Sequence, residues 1–177
     1  LLFIITSIAG YANFQIISFH FKNSSTIPEV QIPIFFAIAM ASSGLSALIS
    51  GRIFDKKGLL TLSIVPILTI PITPLAFSNN QIEVLASIIL WGIVMGIQET
   101  IIRAAIPTMI PNLKRGTAYG IFNFAYGLSW FCGSTLMGIL YNISIQYIIL
   151  FSIIIESISF PLLYKVIKET KKQNQLY

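Results

Sequence analysis

Charge is scarce in this chain: 11 Lys+Arg and 6 Asp+Glu make up 10% of its 177 residues, against about 25% in an average soluble domain. A soluble fold of this size needs polar groups over much of its surface. An ordinary soluble enzyme and a disordered chain are therefore excluded. Cysteine occurs once, as Cys132, which rules out a disulfide scaffold or a cysteine metal cluster. Histidine occurs once, as His20, and aspartate once, as Asp55. An intramembrane aspartyl protease needs paired aspartates, and lipid phosphotransferases want clustered ones. A metalloprotease needs His-Glu-x-x-His, and a Ser–His hydrolase needs a histidine beside a Gly-x-Ser-x-Gly elbow. None of these patterns is present. The expectation is a protein that is not an enzyme and takes no cofactor and no metal.

What is abundant is apolar surface. Hydrophobic residues make up 55% of the chain and the mean hydropathy is +0.84. Six long apolar stretches stand between short polar breaks, at about residues 1–21, 30–50, 59–77, 82–103, 117–141 and 144–164. A spanning helix takes about 20 apolar residues, and alternating barrel patterning is missing, so each stretch predicts a transmembrane helix. The chain reads as one six-helix domain over residues 1–177 with a tail at 165–177. Pro66, Pro71 and Pro74 should kink the third span. The chain opens at Leu1 inside an apolar run, with no basic region before it and no small-residue cleavage site after it. The expectation is that the start lies upstream and the first span is clipped.

Lys and Arg distribute by side. Arg52, Lys56 and Lys57 lie in the 2–3 loop, Arg103, Lys114 and Arg115 around the 4–5 loop, and Lys165, Lys168, Lys171 and Lys172 in the tail; the opposite side has Lys22 alone. By the positive-inside rule both termini are cytoplasmic, with the plasma membrane as the expected location. The net charge of +5 is thus a topology signal, and no nucleic-acid partner is expected. Asn23-Ser-Ser25 and Asn142-Ile-Ser144 are glycosylation-type sequons on the predicted outer side.

The 2–3 loop reads Gly51-Arg-Ile-Phe-Asp55-Lys56-Lys57-Gly58. Asp55 is expected to cap the third helix, where a carboxylate meets free amides and the positive dipole end. Gly58 suits a tight bend. The loop resembles the cytoplasmic signature of the major facilitator superfamily, Gly-x-x-x-Asp-Arg/Lys-x-Gly-Arg/Lys, departing only where Leu59 replaces the final base. Glu99 and Arg103 at the close of the fourth span, and Arg115 at the opening of the fifth, are similar to the carboxy-terminal half of these permeases. The resemblance implies a fold of six transmembrane helices arranged as two inverted three-helix repeats, one half of the twelve-helix whole. It also implies that Gly51, Asp55, Lys56, Gly58, Glu99, Arg103 and Arg115 form an inner-face gating network. A faint repeat of Gly51-Arg-Ile-Phe54-Asp55 is visible in Gly138-Ile-Leu-Tyr141-Asn142. The fifth span has no proline, unlike the Gly-Pro-rich fifth helix of many amino-terminal halves. The chain therefore looks like the second half.

Several polar and aromatic side chains fall deep within the spans. Tyr119, Asn123, Tyr126, Trp130 and Ser134 share one face of the fifth, Ser7, Tyr11, Gln15 and Ser18 one face of the first, and Ser87, Trp91, Met95 and Gln98 one face of the fourth. Amides in hydrocarbon need partners, so these faces should meet protein or a wet cavity. Tyr11, Gln15, Trp91, Gln98, Asn123, Tyr126 and Trp130 are the candidate solute pathway. Interhelical packing is the competing reading for each residue alone.

Ala39, Ser43, Ala47 and Gly51 recur every four residues, the small-xxx-small pattern of a packing seam, and Gly120 and Gly127 are expected to serve similarly. Glu156, near the middle of the sixth span, is a candidate proton carrier for coupled transport. The resemblance makes the sixth helix a peripheral support, which favours instead a protonated acid bonded to Ser157, Ser159 or another helix. His20 is expected to be an interfacial residue.

Together these features predict half of a secondary transporter that moves a small organic solute by alternating access. Its partners are the bilayer, the solute, and a second six-helix half in the same polypeptide or in a second copy. A non-transporting remnant or assembly partner is the alternative.

Overall fold

The computed structural model describes residues 2–174, with side chains described for residues 2–170; Lys171 and Lys172 of the predicted tail, and the residues that follow them, lie outside the described side chains. Eight α-helices follow one another: α1 (Leu2–Gly10), α2 (Phe14–Ser24), α3 (Ile32–Lys57), α4 (Ile64–Thr69), α5 (Ile72–Ala76), α6 (Gln81–Met109), α7 (Arg115–Ile143) and α8 (Ile145–Asn174). Tight 3₁₀ turns at Glu29–Gln31, Gly58–Ser63 and Asn112–Lys114 connect them, and no strand occurs among the described residues.

Four helical stretches are long and apolar enough to cross a membrane: Leu2–Ser24, Glu29–Thr69, Gln81–Met109 and Ile145–Thr170. α7 has 29 residues, about 1.5 Å each along the axis, so it has the length. Its Asn123, Ser129, Ser134, Thr135 and five glycines lower its hydropathy. The stretch after Gly58 is a chain of short segments. Pro66, Pro71 and Pro74 each lack an amide proton, and Pro71 stands at the start of α5. The expected kinking of this region is what the structure has.

The first apolar stretch differs from the single helix predicted over 1–21. It breaks at residues 11–13, and α2 restarts with Asn13 as its cap, the side chain accepting from the Ile16 amide at 3.0 Å. The carbonyls freed there are not left bare. Ser152 Oγ donates to the Gly10 carbonyl at 2.8 Å, and Trp91 Nε1 donates to the Ala12 carbonyl at 2.7 Å. A hydroxyl and an indole N–H on these carbonyls, with the Asn13 side chain on the Ile16 amide, thus make the break tolerable inside an apolar bundle. At the other end of the chain, α8 continues through the predicted tail as far as Asn174.

α3 and α6 form the most intimate helix pair, and α1 packs between α7 and α8. The α3 seam of Ala39 and Ser43 is real, and its partner is Gly92-Ile-Val-Met-Gly96 on α6. A Cβ at Gly92 would overlap the Ala39 carbonyl oxygen, and one at Gly96 the Ser43 carbonyl oxygen and Ser46 Oγ. Such small-xxx-small faces let backbones meet where lipid supplies no hydrophobic drive. Gly120 and Gly127 do not behave as expected: a Cβ at either would meet nothing within 4 Å of this chain. On α7 the glycine that packs is Gly133, where a Cβ would lie 2.6 Å from the Ala9 carbonyl oxygen. Outward, α3, α7 and α8 present Leu45, Leu48, Phe124, Phe131 and Ile154, all exposed. That apolar exterior suits lipid rather than water.

Candidate functional site

The break in the first apolar stretch meets α6 and α7 at a cluster of rings. The Tyr11 hydroxyl donates to the Trp91 carbonyl at 2.7 Å, while Trp91 Nε1 donates to the Ala12 carbonyl. The Tyr11 and Trp91 rings stack at 5.4 Å between centroids, with Trp130 edge-on to Tyr11 at 6.2 Å. Phe14 lies across Trp91 at 5.7 Å, and Tyr126 stacks on Trp130 at 5.9 Å. Tyr11 and Trp91 are buried, whereas Tyr126 and Trp130 on α7 keep part of their faces open. Reciprocal backbone bonds fix the first pair, so the open rings of α7 stand on a rigid base.

Of the predicted pathway residues, Tyr11, Trp91, Tyr126 and Trp130 come together here. Gln98 is buried nearby on α6 and donates through Nε2 to Ser7 Oγ at 2.9 Å, tying α6 to α1. Gln15 and Asn123 do not join them. The break turns Gln15 out of register with Tyr11, and it lines a separate recess of about 320 Å³ with Asn13, Phe19, Ser134 and Asn142. Asn123 is exposed on α7. Asn13 Nδ2 donates to Ser134 Oγ, a second tie between the break and α7.

His20, the expected interfacial residue, is buried against the bundle near the end of α2. It is 4% exposed, its Nδ1 lies 3.1 Å from the Tyr141 hydroxyl, and Phe77 packs edge-on at 4.8 Å. Flanked by the rings of Tyr141 on α7 and of Phe77, just after α5, the imidazole is packed within the bundle, which single-chain periodicity does not reveal.

The gating candidates occupy the other end of the bundle. Asp55 lies in the last turns of α3 rather than at the head of the next helix, and it caps nothing: the turn after Gly58 has no side-chain cap. Gly58 takes φ +58, a left-handed conformation for which glycine is suited. Asp55, Lys57 and Gly58 line a recess of about 410 Å³ with Thr108 and Met109 of α6 and Ile167 and Thr170 of α8. Gly51 faces Thr100, a Cβ there lying 3.8 Å from Thr100 Cγ2. Glu99 and Arg103 sit 3.9 Å apart, a loose and exposed pair of little stabilising value. Lys56 and Asp55 are exposed, and among the described residues neither has an ion-pair partner within 4.0 Å.

Arg115 meets backbone carbonyls in this structure. Its Nη2 donates to the Pro107 carbonyl at 2.9 Å and its Nε to the Ile110 carbonyl at 3.2 Å. It therefore caps the negative end of α6. Pro107 cannot donate to the Arg103 carbonyl one turn back; the Tyr119 hydroxyl does so at 3.2 Å. The head of α7 is thus bound to the end of α6 by backbone carbonyls, a link that charge counting does not show.

Comparison with known proteins places this architecture. The family model described as Major Facilitator Superfamily matches residues 1–176. The chain is 32% identical over 157 residues to uncharacterized proteins of Mycobacterium bovis and Mycobacterium tuberculosis, a match that covers 89% of this chain and 38% of theirs. It therefore corresponds to well under half the length of these relatives. No solved structure matches it. An all-helical chain with four membrane-length apolar stretches and this match is a membrane protein. The chain belongs to the major facilitator superfamily.

Proposed function

We propose that this chain is one six-helix half of a secondary transporter that carries a small organic solute across the plasma membrane by alternating access. In this reading α1 with α2, α3, the segmented stretch 58–76, α6, α7 and α8 each cross once, as two inverted three-helix repeats. Both termini are cytoplasmic, and the second half comes from the same polypeptide or from a second copy. The observation that carries the reading is the broken first helix of a major facilitator chain, meeting aromatic rings of α6 and α7 at the break. Interrupted helices at membrane depth are tolerated where they are buried in protein or line a cavity, and transporters place solutes at such points.

Tyr11, Trp91, Tyr126 and Trp130 would form the solute-facing wall, with Gln98 holding α1 against α6. Gln15 and Asn123 flank it on the open side toward a second half. The wall offers π faces and carbonyls without a fixed charge, which suits a neutral or amphipathic solute. At the inner end Gly51, Asp55, Lys56, Gly58, Glu99, Arg103 and Arg115 would lock one state and separate in the other. The open recess beside Asp55 and the loose Glu99–Arg103 pair support a network caught unlocked.

The test is uptake into proteoliposomes holding the native gene product, screened with neutral and amphipathic organic compounds. A compound whose uptake falls at least tenfold in Trp91→Ala and Tyr126→Ala, with protein yield maintained, supports the reading. Transport that is indifferent to both changes would remove the proposed wall.

A further inference from the structure

Glu156 is the only carboxyl group among the described residues with no exposed surface. It sits on α8 one turn beyond Ser152, facing the end of α1. Ser159 Oγ donates to its Oε2 at 3.2 Å, a hydroxyl shared with the carbonyl of Glu156 itself at 2.8 Å. Ser157, the other expected partner, turns to the Ile153 carbonyl instead. Oε1 has no hydrogen-bond partner. It is pressed against the last residue of α1, since a Cβ at Gly10 would lie 3.2 Å from it. The acid lies at the seam where the first apolar stretch breaks.

The surroundings of Oε1 are hostile to negative charge. α1 ends at Gly10, so the partial negative charge of a helix terminus lies near the carboxyl. No basic side chain answers it: Leu2–Gly10, Gly58–Ser63, Ile64–Thr69 and Ile72–Ala76 contain no ionisable residue. Tyr11 follows Gly10 but donates to the Trp91 carbonyl. On α7, Tyr126 stacks on Trp130 and Tyr141 is engaged with His20. Ser152 cannot turn to Oε1 either, because it donates to the Gly10 carbonyl at 2.8 Å while Thr73 Oγ1 donates to it at 2.8 Å. An unpaired carboxylate here would be among the most costly of arrangements. A proton removes the charge and makes the carboxyl a donor.

We propose that Glu156 is a proton-binding site whose occupancy sets the seat of α1 on α8 and, through residues 11–13, the position of Tyr11 in the aromatic wall. The proposal rests on the transport reading above and adds the coupling ion to it. With the proton bound, Gly10 docks on α8. Once the proton leaves to water, the carboxylate and the carbonyl end of α1 repel. The shift passes along three residues to the Tyr11 ring, which touches both Trp91 and Trp130.

These are the only two tryptophans of the chain, so intrinsic fluorescence reports on the coupling without a solute. The experiment is infrared difference spectroscopy and tryptophan emission of the native gene product in proteoliposomes, as pH is raised. The expected result is a protonated-carboxyl band that titrates away in step with a change in emission, both lost in Glu156→Gln. Ser152→Ala, which frees the Gly10 carbonyl, should shift the midpoint of both curves, and it serves as the variant of record should Glu156→Gln fold poorly. A band that survives in Glu156→Gln, emission that titrates unchanged in that variant, or an unmoved midpoint in Ser152→Ala would overturn the proposal. Loss of the band at constant pH on exchanging choline for sodium would overturn it too, by making the ligand sodium. A positive spectrum with a failed uptake screen would refute transport alone, whereas solute uptake with no Glu156 band would refute the proton site alone.

Discussion

Replacing Gly92 with alanine adds one methyl group at the tightest helix contact in the bundle. That carbon would overlap the Ala39 carbonyl oxygen and stand 2.9 Å from the Ala39 carbonyl carbon and 3.0 Å from Ser42 Cβ. Two of the three obstacles are backbone atoms, which cannot rotate aside. α3 must instead move away from α6 by a distance on the order of 1 Å, loosening the longest interface in the protein. Overpacking of this kind costs about 1–3 kcal/mol, set against a helix-propensity gain of up to about 1 kcal/mol for alanine over glycine. The expected net loss is about 1–2 kcal/mol. Gly96→Ala should cost a similar amount for the same reason, because its added carbon meets the Ser43 carbonyl and Ser46 Oγ. One displacement of α3 relieves both clashes, so the double variant should lose less than the two single losses together. Gly44→Ala is the control, as a Cβ there meets nothing within 4 Å, and it should be neutral or slightly stabilising. The assay is reversible denaturation in detergent micelles, followed by tryptophan emission. Gly92→Ala and Gly96→Ala as stable as the unaltered protein, or Gly44→Ala as damaging as either, would refute the close-packing argument.

Other perturbations separate the roles assigned above. Trp91→Phe keeps the ring but removes the donor to the Ala12 carbonyl; it should cost about 1–3 kcal/mol for an acceptor left buried and bare, and an equal-stability result would mean that water replaces the indole. Arg115→Lys loses the fork that holds the Pro107 and Ile110 carbonyls, so amide exchange at residues 108–110 should quicken, whereas Arg115 acting only as a partner for acids predicts no change there. Asp55→Asn should slow solute turnover more than solute binding, because the gating network acts on the change of state, and unchanged turnover would remove Asp55 from it. Gly120→Ala and Gly127→Ala should leave the stability of this chain within about 0.5 kcal/mol while impairing transport by the native gene product. Destabilisation of the chain itself would contradict their open surroundings.

The positions of the long helices were legible because a membrane span announces itself by twenty apolar residues, and the α3 seam because small residues recur with the helical period. The break at residues 11–13 was not. Ser7, Tyr11, Gln15 and Ser18 keep helical spacing straight across it, and what opens the helix is Trp91 and Ser152, 79 and 142 residues away from the carbonyls they bind. The continuing period groups Gln15 with Tyr11, although the structure parts them. Gly92-Ile-Val-Met-Gly96 carries the same small-xxx-small signal, on the helix that also bears the more conspicuous tryptophan stripe. Arg115 and Asp55 show a different limit. Charge and spacing bring such residues to one end of a bundle, but whether an arginine finds a carboxylate or a carbonyl depends on how a helix ends, here on Pro107. Glu156 was conspicuous as an acid in mid-span, yet its meaning depends on Gly10, which only packing reveals.

The central claim is that the chain crosses the membrane six times and so holds the Asp55, Arg103 and Arg115 regions on a single side, as one half of a major facilitator transporter requires. Four stretches meet the length and hydropathy of a span outright; α7 and the segmented stretch 58–76 are the crossings that need proof. Labelling of single cysteines with a membrane-impermeant maleimide, in a Cys132→Ser background in intact cells, tests it directly. Lys57→Cys, Lys114→Cys and Lys168→Cys should be protected until the membrane is permeabilised, while Asn23→Cys, Asn79→Cys and Asn142→Cys should react at once. Equal labelling of Lys114→Cys and Asn142→Cys from one side would mean that α7 does not cross, and equal labelling of Lys57→Cys and Asn79→Cys would say the same of residues 58–76; either result contradicts the six-helix half.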